Sequence, residues 1–563
     1  MKKLTSVCGL TVCGVMLMAG ALHAQDDVET RALRDEMARS MKDLKLEGSD
    51  KPYFISYKIT DTETKEAQAS LGALTSSNES RSRSLTVVVR VGDYDFDSSN
   101  FMSNDFTALI GSIGAGVMIP LDDNYEELRR RIWLATDIAY KKAIEDLSGK
   151  KAALANKNRT ETIADFSKEP ARQEQDLMPP IEEKLSDAEA LVKAASAVIR
   201  DLPGVETSEA RLEVVNSTEH FLNSEGTSYV RQLPEISFHE TASLQVDDGE
   251  VLSDWVTKQS RSVKAFPSQD ALVDETRKMV ERLTTTEKAR KAKRYNGPIL
   301  FEGQAAAELF ARTFADQLTA SPKSVSGGQS RLAGLLMGSS GSNDGFLNRR
   351  GSRVLPDFLS VEDNPLATEA EGKTLLGSYK FDEEGTPAQE TLLVKDGILK
   401  TLLTGRAPVR DIPKSSGNMR ERGVQPGNVL VSSTKSEPLA DLSKQMMDLV
   451  KTRGLDYGVV VRRMNARQAV ACFRVYPDGH EEQVRNGRIA EITSNTFKEI
   501  LAVSNERYVY TDRPGSGGLL GAMGGHGDLV SYVVPSMLFE DATLEHTTTE
   551  TSKPPVVESP LAK

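Results

Sequence analysis

Residues 391–403 read TLLVK, then Asp396-Gly397, then ILKTLL, an order that predicts an antiparallel hairpin and commits this part of the chain to sheet. A two-residue hairpin turn needs positive φ at both central positions, which Asp followed by Gly accepts. Residues 382–385, Asp-Glu-Glu-Gly, supply a second turn.

Upstream, hydrophobic period sorts helix from strand. Leu33, Met37, Met41 and Leu44 recur near every fourth position and predict a helix over 30–46. Tyr53, Ile55, Tyr57 and Ile59 alternate with their neighbours as a strand does. Residues 85–91 are apolar on nearly both faces and are expected at the centre of a sheet. Asp123 and Glu126 form a capping-box-like pair opening a helix over about 124–152, with Leu128, Ile132, Ala135, Ile138 or Ala139, and Ala143 on one face. The Arg129-Arg130-Arg131 triplet reads as its solvated side. Residues 156–180 are polar without period and read as a surface excursion. A helix over 187–200, three strand-like runs within 210–246 and a helix over 270–293 follow. Tyr295-Asn296-Gly297-Pro298 then reads as a hinge and a domain boundary, after which come a strand at 299–301 and a helix over 304–318.

The first residues carry a different message. Lys2 and Lys3 precede an apolar run over 7–18, and Ala24 offers a small residue for cleavage, the pattern of a secretory leader over 1–24. The run is too short to span a bilayer, and no later stretch is long enough. Removing the leader moves the formal charge from −12 to −14, because Lys2 and Lys3 leave with it. It also removes Cys8 and Cys13, so Cys472 remains alone, without an internal disulfide partner. So acidic a chain repels phosphate backbones, and nucleic acid is not an expected partner.

The run over 377–408, GSYKFDEEGTPAQETLLVKDGILKTLLTGRAP, followed by SSGNMRERG over 415–423, resembles the C-terminal domain of the TldD/PmbA family, also called the modulator of DNA gyrase family. Residues 122–154 are similar to exported members, and 296–318 and 533–545 add to the likeness. The resemblance implies an α+β fold: an N-terminal sheet-and-helix portion over 25–295, a strand-rich C-terminal domain over 296–546, and a disordered tail over 547–563. It also implies that Asp382, Gly385, Arg406, Gly417, Asn418 and Arg420 belong to loops lining a peptide cleft, with Gly417 allowing close approach and Arg420 suited to a carboxylate.

TldD-type members are metallopeptidases with a zinc-binding HExxxH, and the corresponding helix here, in NGPILFEGQAAAELFARTFADQL, has Glu302 and Glu308 but no histidine. Catalytic zinc needs about three protein ligands and favours imidazole nitrogen. The six histidines, His23, His220, His239, His480, His526 and His546, fit no zinc spacing. His239-Glu240 sits in a strand, where neighbours point apart. His480 follows the turn Pro477-Asp478-Gly479, and Cys472 reads as a small buried hydrophobe. His526, in a glycine-rich loop, joins His480 and Cys472 as the weak metal candidates. Two glycine- and serine-rich stretches, 324–345 and 515–528, read either as flaps over a cleft or as disordered loops. No GxSxG elbow, phosphate loop or CxxC is present.

By its missing motif the chain looks like the PmbA-type subunit, which in this family pairs with a zinc-bearing TldD-type subunit. The expectation is an exported, periplasmic or secreted, non-zinc partner in peptide proteolysis, with zinc only in the other subunit. The alternatives are a stand-alone peptidase with an unrecognised site and a non-catalytic peptide-binding envelope protein.

Overall fold

The computed structural model describes residues 27–102, 116–155, 163–202, 204–326, 344–490, 492–514, 527–547, 557 and 560–561. The leader, His526, most of both glycine-rich stretches and most of the tail lie outside them. The fold is α+β, built on two sheets.

Long antiparallel strands make up most of the first sheet. β1 (Pro52–Ser70) pairs with β2 (Ala73–Val91) and β3 (Val205–Asn223), and β4 (Ser228–Gln245) lies between β3 and β5 (Val251–Ser260). Strand alternation sends Ile55, Tyr57, Ile59, Ala67, Ala69 and Leu212 to one face. There α1 (Val28–Asp43) and α2 (Tyr125–Leu154) cover one end, and α3 (Leu185–Ala197) and α4 (Gln269–Glu287) cover the other. All helices of this sheet thus share one face, leaving the other free for the second sheet.

Four expectations change here. The apolar run 85–91 is not central: among the described residues the only strand beyond β2 is the short Val117–Met118, at Ser84 and Leu85, and Val88 is exposed. Its valines serve two surfaces, the helix face through Val89 and Val91 and the open face through Val88. The three runs within 210–246 are two strands, because Pro234 does not break β4. On that strand's outer side the described partners stop at Arg231 and resume at Ile236, so proline's missing N–H falls where no ladder bond is needed. The cap of α2 is Asn124, not Asp123; its side chain accepts the Glu127 N–H at 3.0 Å. Ile138 stays exposed while Leu128, Ile132, Ala135 and Ala143 are buried.

The fourth change concerns 295–298, which begin a strand rather than a hinge. β6 (Tyr295–Phe301) pairs antiparallel with the last strand, and the ladder is irregular between Gly297 and Ile299, where Pro298 has no proton to offer. The second sheet is mixed and winds around that last strand, Val530–His546. It pairs with β6, with Ile500–Asp512 and Gly487–Ala490 antiparallel, and with Asn428–Ser433 in parallel. From β6 the order continues through Gly458–Asn465 and Gln468–Val475 to Gly487–Ala490 and back, closing a ring of five strands. The predicted hairpin is present, with φ of 50° at Asp396 and 76° at Gly397. α5 (Gln304–Thr313) packs on this sheet with Ala305, Ala306, Ala307, Leu309, Phe310 and Ala311 all buried. No helix among the described residues is long and apolar enough to cross a membrane.

Glu240 is an anomaly in the first core. It is 0% exposed, accepts a bond from Thr276 on α4, and keeps one carboxyl oxygen without a partner. Burial pushes its carboxyl up to about 7, against about 4.3 in an unfolded chain. The folded state therefore holds this proton where the unfolded chain has released it, so stability falls as pH climbs from about 4.3 and levels off once Glu240 ionises in the fold. Glu240→Gln is expected to abolish roughly 2 kcal/mol of stability loss between pH 5 and pH 8, read from urea melts of both proteins at the two pH values.

Candidate functional site

The free face of the first sheet looks across a cleft of about 680 Å³ at loops of the second. Because odd positions of β1 face the helices, even ones face the cleft, and Ser56, Lys58, Thr60, Thr62 and Thr64 form its floor with Ser84 and Thr86 of β2 and Ser217 of β3. Glu383, Met419, Arg420 and Asp528 close it from the other side.

A largely buried ion cluster joins the two walls. Lys58 lies 2.5 Å from Glu383 and 3.4 Å from Glu219, and Arg231 of β4 bonds Glu219 at 2.5 Å and also Glu383. Burial by itself would raise the Glu383 carboxyl, but Arg231 and Lys58 hold it down to about 2. Two cations and two carboxylates thus alternate, and no charge is left without an opposite neighbour.

Local structure aims Glu383. Asp382, 0% exposed, accepts the backbone N–H groups of Glu384, Thr386 and Met419 at 2.9, 2.9 and 3.0 Å, and Gly385 has φ of +74°. This turn points residue 383 at the sheet. Burial and the nearby Glu384 push the Asp382 carboxyl up, against the pull of those three donors.

Of the six cleft candidates, Arg420 alone lines the space. Its guanidinium bonds Asp528 at 2.9 Å and lies 4.1 Å over the Tyr379 ring. Burial opposes ionisation of Asp528, yet Arg420 and Arg231 hold its carboxyl well below the usual range. The other five build the wall behind. Asn418 is buried, donates to Asp363 at 2.7 Å and accepts from Ser416. Gly417 has φ of +74°, and a Cβ there would stand 2.3 Å from the Pro387 carbonyl oxygen. Arg406, 1% exposed, pairs with Glu225 at 2.7 Å, donates to the Ser167 carbonyl and lies over Phe166. It ties this loop to the first sheet rather than facing a ligand.

Among the described residues, the side chains on α5 do not fit a zinc ion. On α5, Gln304, Glu308 and Arg312 share one face at four-residue spacing. The Glu308 carboxylate accepts from Gln304 at 2.5 Å, from Arg312 at 3.1 Å and from the Ala466 N–H at 2.6 Å, so both of its oxygens are engaged within the fold. His239 points outward and bonds Thr257, away from buried Glu240. His480 sits in its exposed turn, stacked on Tyr476. Cys472 is 0% exposed, and burial pushes its thiol up to about 12. Among the described residues no three His, Cys, Asp or Glu side chains are grouped as metal ligands.

Sequence reasoning missed Lys58, Glu219, Arg231, Glu383 and Asp528. The available signal was a charged residue at an inward position of an alternating strand, as Lys58 is in FISYKIT.

A family profile, the PmbA/TldA metallopeptidase C-terminal domain, matches residues 293–546. The C-terminal domain of this chain is a TldD/PmbA-family domain. Metalloprotease MJ0996 of Methanocaldococcus jannaschii is 33% identical over 94 residues, 16% of this chain and 20% of that protein. The metalloprotease PmbA homolog of Buchnera aphidicola is 29% identical over 163 residues, 29% of this chain and 34% of its own length. The chain therefore spans about a fifth to a third of the curated relatives it matches. TldE from Thermococcus kodakarensis shares the fold, with a TM-score of 0.54 at 13% identity, over 92% of this chain and 100% of that one.

Against this TldD/PmbA-family domain, the ion cluster sets the separation of the cleft walls. Glu383→Ala leaves Lys58 and Arg231 with one carboxylate between them and is expected to cost about 3–5 kcal/mol, read as a lowered urea midpoint. Gly417→Ala is expected to cost at least about 1–3 kcal/mol by the same measurement, since it adds backbone strain to a clash with Pro387.

Proposed function

We propose that this chain is an exported, non-zinc subunit that pairs with a zinc-bearing TldD-type subunit and encloses an extended peptide in the cleft between its sheets. The observation that carries this reading is α5: in the position of the family's metal helix, Gln304, Glu308 and Arg312 satisfy one another and Ala466, with no imidazole among them. The cleft supports the same reading. Its floor offers hydroxyls at alternate strand positions, and Arg420 stands at its far wall. Such a surface suits the polar backbone of an unfolded segment. Export rests on the leader-like first 24 residues.

Purified without a partner, the chain beginning at residue 25 is expected to hold no stoichiometric zinc and to leave unstructured peptides uncut. Mixed with a TldD-type subunit encoded beside it, cleavage should appear and should cease when a chelator strips the metal. Zinc retained by the unaccompanied chain, together with chelator-sensitive cleavage, would refute the proposal and favour a stand-alone peptidase. Peptide binding without cleavage in either preparation would refute it in favour of a binding protein.

A further inference from the structure

The distal half of β2 is a strand edge left open. Every residue from 73 to 82, ALTSSNESRS, is exposed, although β1 pairs with all but one of them on the inner side. Among the described residues the outer edge is paired only from Arg83 onward. Two bonds set its direction. The Arg83 carbonyl accepts the Ile119 N–H at 2.9 Å, and the Val91 carbonyl accepts the Ser98 N–H at 3.0 Å. Odd positions therefore turn their main-chain groups outward, and alternation extends this to Ser77, Glu79 and Arg81. These N–H and C=O groups form a template for another strand.

The side chains specify which strand. We propose that the outer edge of β2 pairs antiparallel with β2 of a second copy of this chain, centred on Ser80. In that register Glu79 faces Arg81 of the second copy, and Arg81 faces its Glu79, so one contact supplies two opposite-charge pairs. Both are outward positions and fall on the closely bonded pairs of an antiparallel ladder. Centring the contact on Glu79 or on Arg81 sets like charges opposite each other, so charge selects the register. Neither proline nor lysine guards this edge. Within the chain Glu79 has Lys65 at 3.9 Å, a weak competitor, whereas Arg81 already holds Asp61 on the β1 side through two bonds, at 3.0 and 2.6 Å, so the second copy's Glu79 shares that guanidinium with Asp61. The two-fold axis then runs perpendicular to the sheet and preserves its faces. The hydroxyl-lined floors, which reach Ser82 and Ser84 at this edge, become one surface with both clefts opening to the same side.

This inference does not depend on the zinc-free reading and is tested on the chain beginning at residue 25, by itself. Sedimentation equilibrium over a concentration series into the high micromolar range should show wild-type mass rising toward that of a dimer. Glu79→Arg and Arg81→Glu, both at exposed positions, should each remain monomeric, since each sets like charges opposite. An equimolar mixture of the two variants should associate, since both facing positions then carry arginine on one chain and glutamate on the other. Glu79→Pro deletes one outward N–H, leaves the β1 ladder whole, and should be monomeric without any change of sign. A wild-type chain that stays monomeric, a single variant that associates as wild type does, or a mixture that stays monomeric would each overturn the proposal.

Discussion

Lys58, Glu219, Arg231 and Glu383 form the contact on which the remaining geometry depends. Charges removed from water are tolerated only in complete sets, because each carries a desolvation penalty of several kcal/mol that an opposite charge must offset. Three of these four sit on strands of the first sheet, and the fourth is delivered by a turn of the second. The set is complete only when the two sheets stand at one separation. The cleft is the space that this separation leaves beside the cluster, and Arg420 and Asp528 repeat the arrangement at its far wall.

The loops facing that cleft are held by polar atoms spent internally. Asp382 uses both carboxylate oxygens on backbone N–H groups, Asn418 spans Asp363 and Ser416, and Arg406 reaches back to Glu225 and Ser167. None of these groups is left to meet a ligand. Their task is rigidity, since a buried polar network with every member satisfied admits one conformation. α5 follows the same rule, as Glu308 is consumed by Gln304, Arg312 and Ala466. A hydrolytic metal needs the opposite, donors held ready with an open position.

Much of the local structure is legible from period and turn chemistry. The Asp396-Gly397 turn has the positive φ values its residues predict, and the long helix after Asn124 buries the stripe its spacing marks. His239 and Glu240 point apart because they are neighbours on a strand. The failures also have local causes. Proline chemistry predicts a break at Pro234, yet that residue lies where its strand lacks a described outer partner, and only pairing shows this. Apolar content predicts a central place for residues 85–91 and does not reveal that one valine faces the open side and stays exposed.

The candidate site was legible only at Arg420. The other charged groups at the cleft carried no spacing signal, since Lys58 and Glu383 are 325 residues apart and Arg231 and Glu383 are 152 apart. What the amino-acid order decided alone was short-range: which runs are helix or strand, where turns fall, and the lack of histidine on the helix after Pro298. Those follow from backbone sterics and side-chain period, which act over a few residues. Tertiary structure decided which charges meet, which carboxylates are consumed and where the cleft opens. Such pairing depends on three-dimensional proximity in a low-dielectric interior, and no pattern along the chain records it.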